Sequence, residues 1–588
     1  MTLAFWRHGS LEIPNGFDVQ DTLDLVLRQT TKVVPHHMYG KYPALYTVLA
    51  AVPVGTLGIR GMYLLNGVAL AAVIVMYHRV ARSLLGRQLA LGSTLLLPFV
   101  VPLLPYALMG LPHLVSAALV LGALLLFFSA VRCERGRTAF ALSVASGLAA
   151  GFATGVRLQC ITVGGVLIAA SALRARVRLP ALTGQLLAQG ACVGAMAILN
   201  RERFGGAPFS YGWNPIGPNP ATENWHYYLT HPAVPLGVAW VASLGMATLR
   251  IPRARPSERA IICVAMASAL ALPALRHQLA RMAATASVLL VSSNAFLHEQ
   301  PSMTIGWLNK PLFAASPALI LAFVGIVRAG WRRARVEIEV AAATCVAMLL
   351  LLVLRDPDPA TDESVIGFMS LNPRYLVEIY PLLFLLACWT ARELRFSRVF
   401  WFSAAAFAIP LAVIFTHTRD DLDPTRRFVV LSLSAGVTVL VAVAYGVYRV
   451  RSASALPPAI FGVAVAYACV ITTLGDAVAV MDMTGRYELW TRRVESATPQ
   501  RFLLVGWDNA KDPVYSVRED RDVVFVNAAV DDGPQLLGTL DAFRARGRPA
   551  YYFGIGLERV RPLLQARYEI VPLLSDPLLW RLDSRGDH

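Results

Sequence analysis

The chain has 588 residues, 56% of them hydrophobic and only 15% charged, and its mean hydropathy is +0.54; a soluble multidomain protein is not built at this composition. The net charge of +16 does not point to nucleic acid, because Lys and Arg collect in short connections between apolar segments, as membrane topology demands. The expected class is mainly α: a polytopic transmembrane helical bundle of about 13–14 helices, each needing roughly 20 apolar residues.

The opening "MTLAFWRHGSLEIPNG" has too few apolar residues before Arg7 and His8 to be a cleavable signal peptide. In "FDVQDTLDLVLRQ" the acids Asp18, Asp21 and Asp24 recur at intervals of three, the spacing of one face of a short helix, and a solvated face is their simplest use. "HHMYGKYPALYTVLAAVPVG" then sets Lys41 and Tyr42 before an apolar run over 43–57 that is too short to span. That run, like 276–298 with its polar interruptions, is expected to lie at the membrane interface. Spans are expected over 61–82, 88–108, 112–131, 138–155, 158–173, 181–199, 233–250, 259–276, 311–328, 337–354, 374–391, 398–417, 428–448 and 457–478.

The connections divide into two kinds. "HRVARSLLGR", "VRCERGR", "RARVR", "RIPRARPSER", "RAGWRRAR", "ARELRFSR" and "YRVRS" fall at alternate positions and carry the basic excess of cytoplasmic loops. The longer ones between them, such as "NRERFGGAPFSYGWNPIGPNPATENWHYYLTHP" and "RDPDPATDESVIGFMSLNPRY", hold acids, aromatics and prolines and belong to the exoplasmic face. Residues 1–60 then form an exoplasmic loop with interfacial helices, and 61–484 the transmembrane domain. From 485 to 588 short apolar runs alternate with charged turns. "RFLLVGW", "DVVFVNA", "PAYYFGI" and "YEIVPLL" read as strands, and "GPQLLGTLDAFRARG" and "GLERVRPLLQARY" as helices, which gives an exoplasmic α/β domain.

The seven cysteines, Cys133, Cys160, Cys192, Cys263, Cys345, Cys388 and Cys469, show neither a CxxC pair nor metal-ligand spacing. Asp356, Asp358, Asp362 and Glu363 offer oxygen ligands, but two prolines interrupt them and their spacing is not that of a calcium loop, so a solvated acidic loop is the favoured reading. Arg157, in "GFATGVRLQC", is the lone charge of its segment; it is either a functional intramembrane charge or an arginine snorkelling from a helix end. Arg374 and Tyr375, in "LNPRYLVEIYPLL", open an apolar helix, where a guanidinium fork suits a phosphate and an interfacial anchor is the plainer alternative.

"GKYPALYTVLAAVPVGTLGIRGMYLLNGVALAAVIVMYHRVARSLLG", "LNRERFGGAPFSYGW" and "NPRYLVEIYPLL", in that order, resemble bacterial membrane glycosyltransferases of the C-type fold, the family 39-related mannosyltransferase and aminoarabinose-transferase-like group. The resemblance runs through about residue 390. It implies a transferase of the bacterial cytoplasmic (inner) membrane that passes a sugar from a polyprenyl-phosphate donor to a lipid, glycan or protein acceptor on the exoplasmic side. Lys41, Tyr42, Arg157, Arg374 and Tyr375 would serve the donor phosphate, and His113, in "MGLPHLV", stands where the family often has a second acid or polar residue. The family's principal acid precedes a stretch like "MTLAFWRHGSL", so the first membrane helix and that acid are expected upstream of Met1. Failing that, the base must come from Glu12, Asp18, Asp21 or Asp24. No cofactor is established by the sequence, and members of the wider fold differ on a divalent metal. A transporter, a glycan polymerase or ligase, and a non-catalytic family member are the alternatives; no convincing internal repeat favours the first of these.

Overall fold

The computed structural model describes residues 2–11, 31–34, 37–40, 43–58, 60–173, 179–204, 312, 316–331, 334–355, 373–393, scattered positions between 473 and 485, and then 488–506, 522–527, 533–554, 557–576 and 578–585. The chain is mainly helical, with a small α/β unit near its C-terminus. It enters through α1 (Thr2–His8), an antiparallel hairpin of β1 (Thr31–Val34) and β2 (His37–Gly40), and α2 (Leu45–Leu57). At 1.5 Å per residue α2 extends only about 20 Å, short of a crossing. Gly58 at its end has φ +61°, and a Cβ on Gly61 would stand 2.0 Å from the Pro53 carbonyl oxygen, so two glycines make the sharp corner into the next helix.

Among the described residues α3 (Arg60–Leu85), α6 (His113–Arg132), α7 (Gly136–Val156) and most of α9 (Leu179–Phe204) are long and apolar enough to cross a bilayer. The segment expected as one span over 88–108 is broken into α4 (Arg87–Val100) and α5 (Leu103–Ala107). Pro98 lies inside α4, and Val101, with Pro102 after it, is extended; proline withholds an N–H and pushes its predecessor out of the helical region. The freed carbonyls of Phe99 and Val100 accept from Thr473 Oγ1 at 2.8 Å and Ser316 Oγ at 2.6 Å. The segment expected over 158–173 likewise opens with a 3-10 turn, Leu158–Cys160, before α8 (Ile161–Leu173).

After these come α10 (Ile320–Trp331), α11 (Val336–Arg355), a 3-10 turn over Pro373–Ile379, and α12 (Tyr380–Glu393). The expected spans at 233–250, 259–276, 398–417 and 428–448, and the interfacial segment 276–298, lie outside the described residues, as does most of 457–478. Small residues let α7 and α9 meet closely: a Cβ on Gly147 would fall 2.7 Å from the Gln185 carbonyl oxygen, and one on Gly151 2.4 Å from Cys192 Cβ. Cys133, Cys160, Cys192, Cys345 and Cys388 are free.

Four of the basic connections gather at one end of this bundle. Arg132, closing α6, donates through Nε to Glu337 at 3.0 Å at the start of α11 and through Nη2 to Ser83 Oγ at 3.2 Å at the end of α3. Arg335 donates to the Ser83 carbonyl at 2.6 Å, and Arg392, near the end of α12, donates to that of Leu84. Guanidinium groups thus satisfy the last carbonyls of α3, where the helix dipole favours a cation.

The C-terminal unit is a five-stranded sheet in the order β4-β3-β5-β7-β6: β3 (Arg501–Gly506), β4 (Asp522–Asn527), β5 (Ala550–Phe553), β6 (Tyr568–Ser575) and β7 (Leu578–Ser584). The β3–β4 and β3–β5 pairs are parallel, with α13 (Gly533–Ala545) in the β4-to-β5 crossover, while β7 runs antiparallel to both β5 and β6. Interior strand β3 is apolar on both faces, Phe502 to Val505 being wholly buried, as a parallel strand covered on two sides must be. β6 follows α14 (Leu557–Gln565). The expected strands and helices all form here. β7 is additional, its Leu579 and Leu582 buried and its Arg581 paired with Asp583 at 2.7 Å.

Burial pushes the phenols of Tyr551, Tyr552 and Tyr568 up, and the Asp541 carboxylate, to which Tyr568 donates, raises that phenol further. In the unfolded chain they ionise near the ordinary value of about 10. Above it the native unit holds more protons than the unfolded one, so its stability falls as pH rises. The near-UV circular dichroism melting transition of the C-terminal unit is therefore expected at lower temperature at about pH 11 than at about pH 9; an unchanged midpoint would count against these buried phenols.

Candidate functional site

At the end of the bundle opposite the basic connections, a group of polar side chains is sealed from solvent. Glu378, in the 3-10 turn before α12, is 0% exposed, His113 4% and Arg157 6%. Each is set by a local break in helical structure. His113 is the first residue of α6, directly after Pro112. The turn before it is held by Asn66 of α3, whose Nδ2 donates to the Leu111 carbonyl at 2.9 Å and also to that of Met109. Arg157 ends α7 in an extended conformation, φ −146°, between that helix and the 3-10 turn carrying Gln159. An α-helical residue there would carry the chain on along the axis of α7.

Glu378 is the hub. Arg157 Nε lies 3.0 Å from its Oε1, Ser116 Oγ donates to the same oxygen at 2.9 Å, and His113 Nδ1 stands 3.6 Å away. Gln159 Nε2 donates to Oε2 at 3.2 Å, while Gln159 Oε1 accepts from Arg157 Nη2 at 3.0 Å. Arg157 Nη1 rests against the His113 ring, 2.8 Å from Nε2, and that ring packs edge-to-face with Tyr106 at a centroid distance of 5.2 Å. Both carboxylate oxygens therefore have donors, and the guanidinium meets the Glu378 carboxylate and the Gln159 amide oxygen beside the His113 ring. A buried charge persists only when paired and hydrogen-bonded in this way.

Of the sequence-derived candidates, the structure brings Arg157 and His113 together. Arg374 and Tyr375 lie on the backbone of the same 3-10 turn as Glu378, and their side chains are outside the described part. Glu12, Asp18, Asp21, Asp24, Lys41 and Tyr42 lie outside the described residues, as do Asp356, Asp358, Asp362 and Glu363. The chain re-enters the described part just after Lys41 and Tyr42, and Leu45, opening α2, packs beside Gly155, two residues before Arg157: a Cβ on Gly155 would be 3.3 Å from the Leu45 side chain. Glu378, Gln159 and Ser116 were not singled out from sequence. Glu378 carries the signal that marked Arg157, an ionisable residue within an apolar run. Among the described residues no three His, Cys, Asp or Glu side chains form a metal-binding group.

No family model matches the chain, and no curated protein sequence matches it. Among solved structures, ArnT from Cupriavidus metallidurans bound to undecaprenyl phosphate aligns with a TM-score of 0.50 at 12% identity, over 99% of this chain and 91% of that one. The apo state of the same protein aligns at 0.48 and 12%, over 99% and 91%. An oligosaccharyltransferase from Archaeoglobus fulgidus, tethered with an acceptor peptide, aligns at 0.47 and 11%, over 100% of this chain and 69% of that one. At 12% identity the first likeness speaks for the fold alone: this is an integral membrane protein with a C-type glycosyltransferase-like fold.

Removing one member of a buried pair strands the other. Glu378→Leu or Arg157→Met alone is expected to destabilise the protein by about 3–5 kcal/mol, and the double variant to regain most of that. Thermal unfolding of the purified protein in detergent reads both; a double variant no more stable than the singles would deny that the two charges act as a pair.

Proposed function

We propose that the chain transfers a sugar from a polyprenyl-phosphate donor to a lipid, glycan or protein acceptor on the exoplasmic face of the bacterial cytoplasmic membrane. The observation that carries this reading is the joining of Arg157, His113 and the turn bearing Arg374 and Tyr375 at one end of a bundle with this fold, opposite the basic connections. The acceptor hydroxyl attacks the anomeric carbon, the bond from that carbon to the phosphate oxygen breaks, a carboxylate takes the hydroxyl proton, and the lipid phosphate departs. Glu378 is not that base, being wholly buried and fully partnered. Within the sequence given, Glu12, Asp18, Asp21 and Asp24 are the candidates, with Arg374, Tyr375, Lys41 and Tyr42 serving the phosphate. The basic connections are then cytoplasmic and the C-terminal unit exoplasmic.

Two experiments test this reading. With the full chain in nanodiscs holding an undecaprenyl-phosphate-linked sugar and an envelope extract as acceptor source, Arg374→Ala is expected to lower release of undecaprenyl phosphate about 10²–10³-fold, as when a donor to developing negative charge is lost. Wild-type turnover by that variant would remove the proposed phosphate site. In intact cells Ser496→Cys is expected to react with a membrane-impermeant maleimide, and reaction only after permeabilisation would invert the topology.

A further inference from the structure

We propose that Glu378 is a positioning residue: its buried carboxylate, rather than a lipid phosphate, is the standing partner of Arg157, and this pairing fixes the 3-10 turn that presents Arg374 and Tyr375. The inference rests on the transferase reading for the role of those two residues, but its geometry stands by itself. The turn spans Pro373–Ile379, seven residues, longer than such turns usually run. A 3-10 helix that long has strained hydrogen bonds and needs outside support to persist. Glu378 supplies it near the inner end of the turn, where its carboxylate is joined to the start of α6 through Ser116 and to the end of α7 through Arg157 and Gln159. At about 2.0 Å of rise per residue, position 374 lies only about 8 Å along the axis from position 378, so anchoring one fixes the other.

The donors that converge on Glu378 bear on the role of Arg157. Its Nε serves Glu378 and its Nη2 serves Gln159, and Gln159 in turn donates to Glu378. A phosphate drawing Arg157 away would leave a wholly buried carboxylate short of its cation, a large penalty. In this reading the pair compensates its own charge and supports the turn rather than binding the phosphate. Loss of either member should act through the turn.

Two readouts on the full chain in detergent test this: binding of undecaprenyl phosphate by native mass spectrometry, and hydrogen exchange over residues 373–380, which needs no ligand. Glu378→Gln is expected to weaken lipid binding about 10- to 100-fold, as for a sub-ångström to ångström displacement of recognition groups, and to lose amide protection across the turn while α6 and α7 keep theirs. Glu378→Asp should recover part of both. The Glu378→Gln/Arg157→Gln double variant should bind no worse than the weaker single, because the two residues act as one unit. Ser116→Ala, which leaves no bare charge, should give a smaller change in the same direction and serves if Glu378→Gln does not fold. Unaltered binding or protection in Glu378→Gln overturns the proposal, and so does a double variant that loses the product of both single effects, which would place Arg157 on the phosphate itself. A wild-type chain that does not take up the lipid sinks the transferase reading and the functional half of the proposal with it, while exchange still decides whether Glu378 holds the turn.

Discussion

A carboxylate with no access to water at the edge of an apolar bundle is the constraint around which the described membrane part is arranged. Glu378 cannot stay charged there unless donors converge on it, and they come from elements far apart in sequence: Ser116 at the head of α6, and Arg157 and Gln159 beyond the tail of α7. The irregularities of the backbone at this end follow. The proline before α6, the extended residue after α7 and the 3-10 turns each bring a side chain inward that a continuous helix would carry past. The opposite end solves an easier problem. Arg132 and Arg335 are about half exposed, so hydrated guanidinium groups neutralise Glu337 and close the last carbonyls of α3.

Much of the architecture was legible before any coordinates. Hydropathy located α3, α6, α7 and α9, because a bilayer imposes one length and one composition on everything that crosses it. The strands β3, β4, β5 and β6 were legible from short apolar runs between charged turns. β7 was not, since Arg581 and Asp583 interrupt its apolar residues and its pairing with β5 and β6 is a tertiary fact. The break at Val101 was missed for a related reason, whereas the separate spans expected over 138–155 and 158–173 already part at Arg157. Mean hydropathy is blind to where a helix stops, and Pro98 and Pro102, which did carry the signal, lie in an otherwise unbroken apolar stretch.

The candidate site was half legible. Arg157 drew notice as a lone charge, and His113 through a resemblance. Glu378 sits four residues from Arg374, but in a linear stretch the cation suited to a phosphate stands out at the helix start and the acid within the apolar run does not. A cation within an apolar segment raises the question of its anion, and in a linear reading that anion can be anywhere; here it is 221 residues away, at position 378 against 157. Which residues share a carboxylate is decided by helix packing, to which the close α7–α9 approach at Gly147 and Gly151 contributes.

The capping of the α4 break bears on how the protein comes to be made. The carbonyls of Phe99 and Val100 take their hydroxyl partners from Ser316 and Thr473, 216 and 374 residues later in the chain. Until both later segments have been made these two oxygens lack those partners, and a bare carbonyl held away from water is costly. Before then the break needs other hydrogen-bonding partners, because the pairing seen in the structure can form only once the segment holding Thr473 exists. An early break in this bundle is thus completed by residues from much later in the chain, so a molecule cut short before residue 473 would lack one of its caps.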